Sequence, residues 1–338
     1  MNPLRPFLDT SWFIFRRAAQ RLSRQVPDVP ELKDVARTHH FSLPDATLTC
    51  FEVRSEVEDD SLPELSVMFA HGYTLSARSW VFQAEALRKV PNLRMLIPDL
   101  RGHGESTADS DALTVQKTGT DTLHILRELA PSGPVLLVGH SLGVQTVLSA
   151  MEQGDDQFRR RVVGVALVNG AITEFASAGV TQVLDSGPVQ IMRRIGRRLP
   201  RLAEWVKSKV DWILEPFIAS FVYHGELEEG ISAKYDVVEY HAQDIERCTM
   251  TTVLGFLDDL VDNDETDAAP LLAEVPGVVM VGQMDNVTPA SQTRAIADMW
   301  PKAKLREVPD TGHMLPMEAP EKVNRELIEL IELIRGGH

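Results

Sequence analysis

Apolar positions along the chain fall into two kinds of run, and their order predicts an alternating architecture. Short, mainly apolar runs that suit buried strands cover residues 65–70, 93–97, 135–138, 162–168 and 277–281, and a further strand is expected over 305–308. Between them, apolar residues recur every three or four positions over about 79–89, 115–129, 290–299, 320–334 and the run after Ser141. That is the spacing of one helical face. Residues 38–43 and 47–53, joined by Pro44-Asp45-Ala46, predict a hairpin of two strands. Strands alternating with helices predict an α/β fold, a doubly wound and mostly parallel sheet covered on both faces.

The alternation stops between Gly170 and about Pro270. There Met192, Ile195, Leu199, Leu202, Val206, Val210, Ile213 and Phe217 keep helical spacing, with Pro200 and Pro216 as breaks. Inserted between two sheet strands, such a segment predicts a helical cap over the sheet edge. Near the start, residues 5–24 predict an amphipathic helix, with aromatics early and Arg16, Arg17, Arg21 and Arg24 later. The expected organisation is an amphipathic helical extension (1–37), the first part of the core (38–170), a helical cap or lid (171–270) and the second part of the core (271–338).

Charge and cysteine content narrow the setting. A net charge of −15 argues against a nucleic-acid binder, which normally shows a basic footprint. Cys50 and Cys248 form no disulfide framework and have no metal-ligand spacing, which favours a reducing, cytoplasmic location. No stretch approaches the roughly 18–20 apolar residues of a membrane span. The N-terminal apolar residues, interrupted by Asp9 and closed by Arg16-Arg17, make a poor signal peptide. One local charge runs against the whole: Arg193, Arg194, Arg197, Arg198, Arg201, Lys207 and Lys209 against Glu204 give +6 over residues 193–209. A basic amphipathic cap element suits docking on an anionic lipid surface, peripheral to the membrane.

The chemistry concentrates at the predicted strand ends, where ligands sit in doubly wound sheets. Gly139-His140-Ser141-Leu142-Gly143 places a serine between two glycines at a strand-to-helix turn, the G-x-S-x-G pattern. A nucleophile on so sharp a turn needs neighbours without side chains, and the helix N-terminus behind it turns backbone N–H groups toward developing negative charge. An unassisted hydroxyl is a weak nucleophile and needs a base within reach.

In five stretches and in their order, the chain resembles the α/β-hydrolase superfamily, in its cap-bearing branch of serine esterases and lipases. These are His71-Gly72, the Asp99–Ser106 turn (Asp99-x-Arg101-Gly102-x-Gly104-x-Ser106), Gly139-x-Ser141-x-Gly143, Gly282-x-x-Asp285 and Gly312-His313. The resemblance covers about residues 40–335 and implies a catalytic triad with Ser141 as nucleophile, His313 as base and Asp285 as its orienter. Asp258, Asp259, Asp262 and Asp264 are weaker orienters because they precede the strand. The oxyanion hole is expected from the backbone N–H groups of Leu142 and Tyr73. His71, His103, His140, Asp99 and Arg101 are expected to support their turns. The serine separates the chain from epoxide hydrolases and haloalkane dehalogenases, which carry an aspartate nucleophile. No cofactor is implied.

The expected reaction is hydrolysis of a carboxylic ester through an acyl-enzyme, with a small-molecule or lipid ester such as a monoacylglycerol as substrate. A C–C bond hydrolase, a cofactor-free perhydrolase and an acyltransferase share the same triad. A binder that turns nothing over has no need of all three members.

Overall fold

The computed structural model describes residues 31–172, 240–241 and 243–336. The amphipathic helix expected over residues 5–24, residues 173–239 of the expected cap and, within them, the basic stretch 193–209 lie outside the described residues.

Nine strands form one sheet among the described residues. In chain order they are β1 (Arg37–Ser42), β2 (Ala46–Arg54), β3 (Leu65–Ala70), β4 (Leu93–Asp99), β5 (Thr107–Ala108), β6 (Val135–His140), β7 (Val162–Val168), β8 (Gly277–Gly282) and β9 (Ala303–Val308). Their spatial order is β1-β2-β4-β3-β6-β7-β8-β9, with β5 paired to β2. The β1–β2 hairpin and the β2–β4 pair are antiparallel, and from β4 to β9 every pair is parallel. The chain leaves β3 toward β4 on one side and returns to β6 on the other. The winding therefore reverses between β3 and β6, and a crevice opens at their carboxyl ends.

The helices are α1 (Val81–Leu87), α2 (Val115–Leu129), α3 (Leu142–Gln153), α4 (Asp156–Arg161), α5 (Met250–Asp262), α6 (Ala290–Met299) and α7 (Pro320–Gly336), with shorter turns between them. Polar caps start several of them: Thr114 accepts from Lys117 N–H, Asp155 from Phe158 N–H and Thr249 from Thr252 N–H. The two helical layers share the sheet by its period of two. In β6, Val135 and Leu137 join the cluster holding Leu126 of α2 and Leu148 of α3, while Leu136 and Val138 join that of Leu87 of α1 and Leu327 of α7. With both faces covered, the central strands are mostly apolar, which is why they read as short apolar runs.

Two boundaries differ from the sequence pattern. The helix expected over 79–89 begins as a tighter turn at Ala77–Trp80, capped by Ser76, and becomes α-helical only at Val81. The last strand starts at Ala303, two residues before the expected start at Leu305, because backbone pairing with Gly277 and Val278 extends it through Lys304 at the sheet edge. Within the stretch expected as cap, α5 sends Phe256 and Leu260 into the same cluster as α2 and α3. Its Thr252 hydroxyl donates to Gly102 O at 2.8 Å, and Asp259 caps α2 by accepting from Val115 N–H at 2.6 Å.

Candidate active site

The turn after β6 is both crowded and strained. Ser141 has φ 56° and ψ −119°, a region L-residues rarely occupy. Its own N–H donates to Val168 O at 3.1 Å, which fixes the strained residue against β7. A Cβ on Gly139 would lie 2.4 Å from Gly143 O, and one on Gly143 only 2.0 Å from Ala70 O. Only glycine lets β6, the head of α3 and the end of β3 pass so closely.

Three side chains from separate strand ends meet there. Ser141 Oγ lies 2.9 Å from His313 Nε2, and His313 Nδ1 lies 2.9 Å from Asp285 Oδ2. All three residues are buried. The Asp285 carboxylate is an acceptor on every side. Its Oδ1 accepts from the backbone N–H groups of Val287 (2.8 Å) and Thr288 (2.9 Å). Its Oδ2 accepts from Thr288 Oγ1 at 2.8 Å and Asn169 Nδ2 at 2.6 Å besides the imidazole. Burial pushes this carboxyl up, but the His313 imidazole, the Asn169 amide and the Thr288 backbone outweigh it and hold it at about 2. An ionised Asp285 fixes the His313 proton on Nδ1 and leaves Nε2 free to accept from Ser141. The arrangement can thus draw a proton from the serine hydroxyl and stabilise the resulting imidazolium.

The two expected oxyanion donors flank the serine. Leu142 is the first residue of α3, and a side chain on Gly72, immediately before Tyr73, would come within 3.1 Å of Ser141 Cβ. The Tyr73 ring is anchored away from the turn, its hydroxyl donating to Val253 O of α5.

The remaining histidines of the rim act as backbone clamps. His71 accepts from Leu100 N–H through Nε2 and donates from Nδ1 to Gly72 O. His103 likewise accepts from Thr74 N–H and donates to Arg101 O. His140 donates from Nε2 to the His313 carbonyl at 2.9 Å. Burial depresses all three, His103 to about 4 and His140 to about 3, so they stay neutral. Asp99 accepts from Ala77 and Glu105 N–H, filling the space a Gly104 side chain would need, with Gly104 at φ 54°. Arg101 pairs bidentately with Asp121 at 2.7 and 2.8 Å. Asp259 and Asp264 are occupied elsewhere, at the head of α2 and at Thr266.

Sequence reasoning did not single out Asn169 or Thr288. Thr288 sits three residues past Asp285 in the same turn. Asn169 carries a signal that could have been read: an asparagine before glycine at the end of a buried strand, where a left-handed residue is common. Its φ is 47°. Among the described residues no group of three His, Cys, Asp or Glu side chains could hold a metal ion.

A model of the alpha/beta hydrolase family matches residues 67–326, most of the chain and every rim element just described. The chain belongs to the alpha/beta hydrolase family. Among relatives within it or near it, the chain is 24% identical over 265 residues to the dihydrolipoyllysine-residue acetyltransferase component of the acetoin cleaving system of Pseudomonas putida, covering 78% of this chain and 63% of that one. It is 24% identical to the sn-1-specific diacylglycerol lipase ABHD11 of Mus musculus over 78% of this chain and 79% of that one. A shorter match, 31% identical over 35% of this chain and 36% of the relative, is to the epoxide hydrolase srdG of Neurospora crassa. The first relatives are thus matched over less than two thirds of their length. Among solved alpha/beta hydrolase-like structures, the thermophilic esterase of Thermogutta terrifontis superposes with a TM-score of 0.69 at 22% identity, covering 89% of this chain and all of that one. At that identity the likeness shows the fold.

Proposed function

We propose that this alpha/beta hydrolase is a serine hydrolase of carboxylic esters, with Ser141 as nucleophile, His313 as general base and acid, and Asp285 as the orienting carboxylate. The observation that carries the reading is the continuous chain from Ser141 Oγ through His313 to an Asp285 held ionised, with both links at 2.9 Å. Each group is matched to one task. His313 Nε2 takes the serine proton as Oγ attacks the ester carbonyl, forming the C–O bond of a tetrahedral intermediate. The oxyanion is met by the N–H groups of Leu142 and Tyr73, each such donor worth about 2.7–4 kcal/mol in related chemistry. The imidazolium then protonates the departing alcohol. Water, deprotonated by the same nitrogen, cleaves the acyl-enzyme and returns Ser141.

The diacylglycerol lipase among the relatives supports an ester substrate, and a lipid ester among those. The epoxide hydrolase relative does not redirect the reading. The alkyl-ester intermediate of that reaction needs a carboxylate nucleophile, and this chain offers Ser141.

The test is hydrolysis of p-nitrophenyl esters across acyl chain lengths, with Ser141→Ala beside the wild type. Turnover by wild type alone, best at medium or long chains, is expected. Equal rates in both proteins would end the assignment of Ser141.

A further inference from the structure

Asn169 joins the three rim segments of the site. It follows β7 directly, between the strand that leads to Ser141 and the strand that leads to Asp285. The preceding carbonyl, Val168 O, receives the Ser141 N–H, and the Asn169 N–H donates to Met280 O of β8 at 2.8 Å. Its side chain, fully buried, donates from Nδ2 to Asp285 Oδ2 at 2.6 Å and to Gly312 O at 3.1 Å. Both neighbours are acceptors only, so the amide can face them in just one orientation. Among the described residues its buried Oδ1 has no hydrogen-bond partner. A buried amide with half its capacity unused, on a residue at φ 47°, is a costly way to fill space. Glycine would adopt this backbone without either cost. What only the amide supplies is an uncharged donor to the triad carboxylate that also grips the backbone beside His313.

We propose that Asn169 is a positioning residue for His313, holding Asp285 Oδ2 and the Gly312 carbonyl in one grip so that the imidazole stays in line with Ser141. The proposal rests on the serine hydrolase reading above. It accounts for the choice of a neutral donor. A carboxylic acid at this position would, once ionised, set a second negative charge against Asp285 and hold the imidazole in its charged form.

Among the described residues, the Thr288 hydroxyl lies 3.3 Å from His313 Nδ1, and the titratable groups that face the imidazole come from separate elements. Asp285 lies on the β8 loop, His140 at the end of β6 and His241 on residues 240–247, while Glu318 accepts from the N–H groups of Gly312 and Met314. His140 and His241 are both depressed to about 3 by burial, then by His313, and stay neutral through the working range.

The experiment is the rate at which a fluorophosphonate labels Ser141, followed against pH in wild type, Asn169→Ala, Asn169→Asp and Ser141→Ala. It needs no knowledge of the natural ester. Asn169→Ala should label at least about tenfold more slowly at every pH. Asn169→Asp, isosteric and at ease at positive φ, should move the acid limb up by about one pH unit. If Asn169→Ala does not fold, the Asp variant carries the test alone. Wild-type rates and an unmoved limb in the folded variants would overturn the role of Asn169 while leaving the nucleophile in place. A wild type that does not label at Ser141 at all would overturn both.

Discussion

Gly143 and Ala70 approach until a methyl group on the glycine would stand 2.0 Å from the alanine carbonyl oxygen. The helix behind Ser141 therefore rests directly on the end of β3, one residue before the loop that carries Tyr73. The two proposed oxyanion donors come from these two segments, so their spacing depends on this contact. Gly143→Ala should cost about 3 kcal/mol of stability, the upper end for overpacking, because the obstacle is backbone. Any folded fraction should show a large loss in kcat, since the elbow must shift to relieve the clash. Urea denaturation and active-site-normalised kinetics check both.

Strain at Ser141 gives a prediction of opposite sign. At φ 56° and ψ −119° the residue stores on the order of 1–3 kcal/mol. Ser141→Gly should therefore be more stable than Ser141→Ala by about 1 kcal/mol or more, with both inactive. Thermal melts of the two variants test this. Equal melting temperatures would mean that the elbow carries no strain.

Asp285 makes stability depend on pH in a definite direction. Its folded-state carboxyl lies at about 2, below its ordinary value of 3.8. A depressed carboxyl contributes stability above its unfolded value and loses it as pH falls through the folded one. The window is therefore from about pH 4 down to 2, and the contribution is on the order of 2 kcal/mol. Asp285→Asn should be less stable than wild type at neutral pH, with the gap narrowing as pH falls through that window. It should also lower kcat by about 10⁴-fold at neutral pH, as the amide presents the wrong partner to His313 Nδ1.

Arg101 tests the frame rather than the chemistry. It is 1% exposed, paired bidentately with Asp121, and donates a further bond to Ala112 O. Arg101→Ala strands a buried carboxylate and should cost about 3–5 kcal/mol, whereas Arg101→Ala with Asp121→Ala should recover part of it. A double-mutant cycle by chemical denaturation measures the coupling.

Much of this fold is legible in the residues because the central strands are buried on both faces. Burial makes β7 and β8 apolar without interruption and leaves one polar residue each in β3 (Ser66) and β6 (His140), so Val162–Val168 reads to the residue. The amphipathic helices α2 and α6 read as well, at Val115–Leu129 and Ala290–Met299. Edge strands say less: β9 recruits Lys304 by backbone pairing alone, and the two-residue β5 leaves no pattern. At the site, Ser141, Asp285 and His313 stand out because glycines must surround them. Asn169 and Thr288 do not, since a single polar side chain that donates to a distant carboxylate obeys no spacing rule. The neutral tautomers of His71, His103 and His140 also depend on backbone groups that only the fold brings close, Leu100 N–H, Thr74 N–H and the His313 carbonyl, and leave no mark in the sequence.

The central claim is that Ser141 carries the acyl group. Mixing the protein with p-nitrophenyl butyrate, quenching in acid within milliseconds and mapping the peptides by mass spectrometry addresses it directly. The account predicts a butyryl adduct on the peptide containing Ser141, longer-lived in Asp285→Asn and absent in Ser141→Ala. Turnover of the ester with no adduct on that peptide, or an adduct that persists in Ser141→Ala, would contradict it.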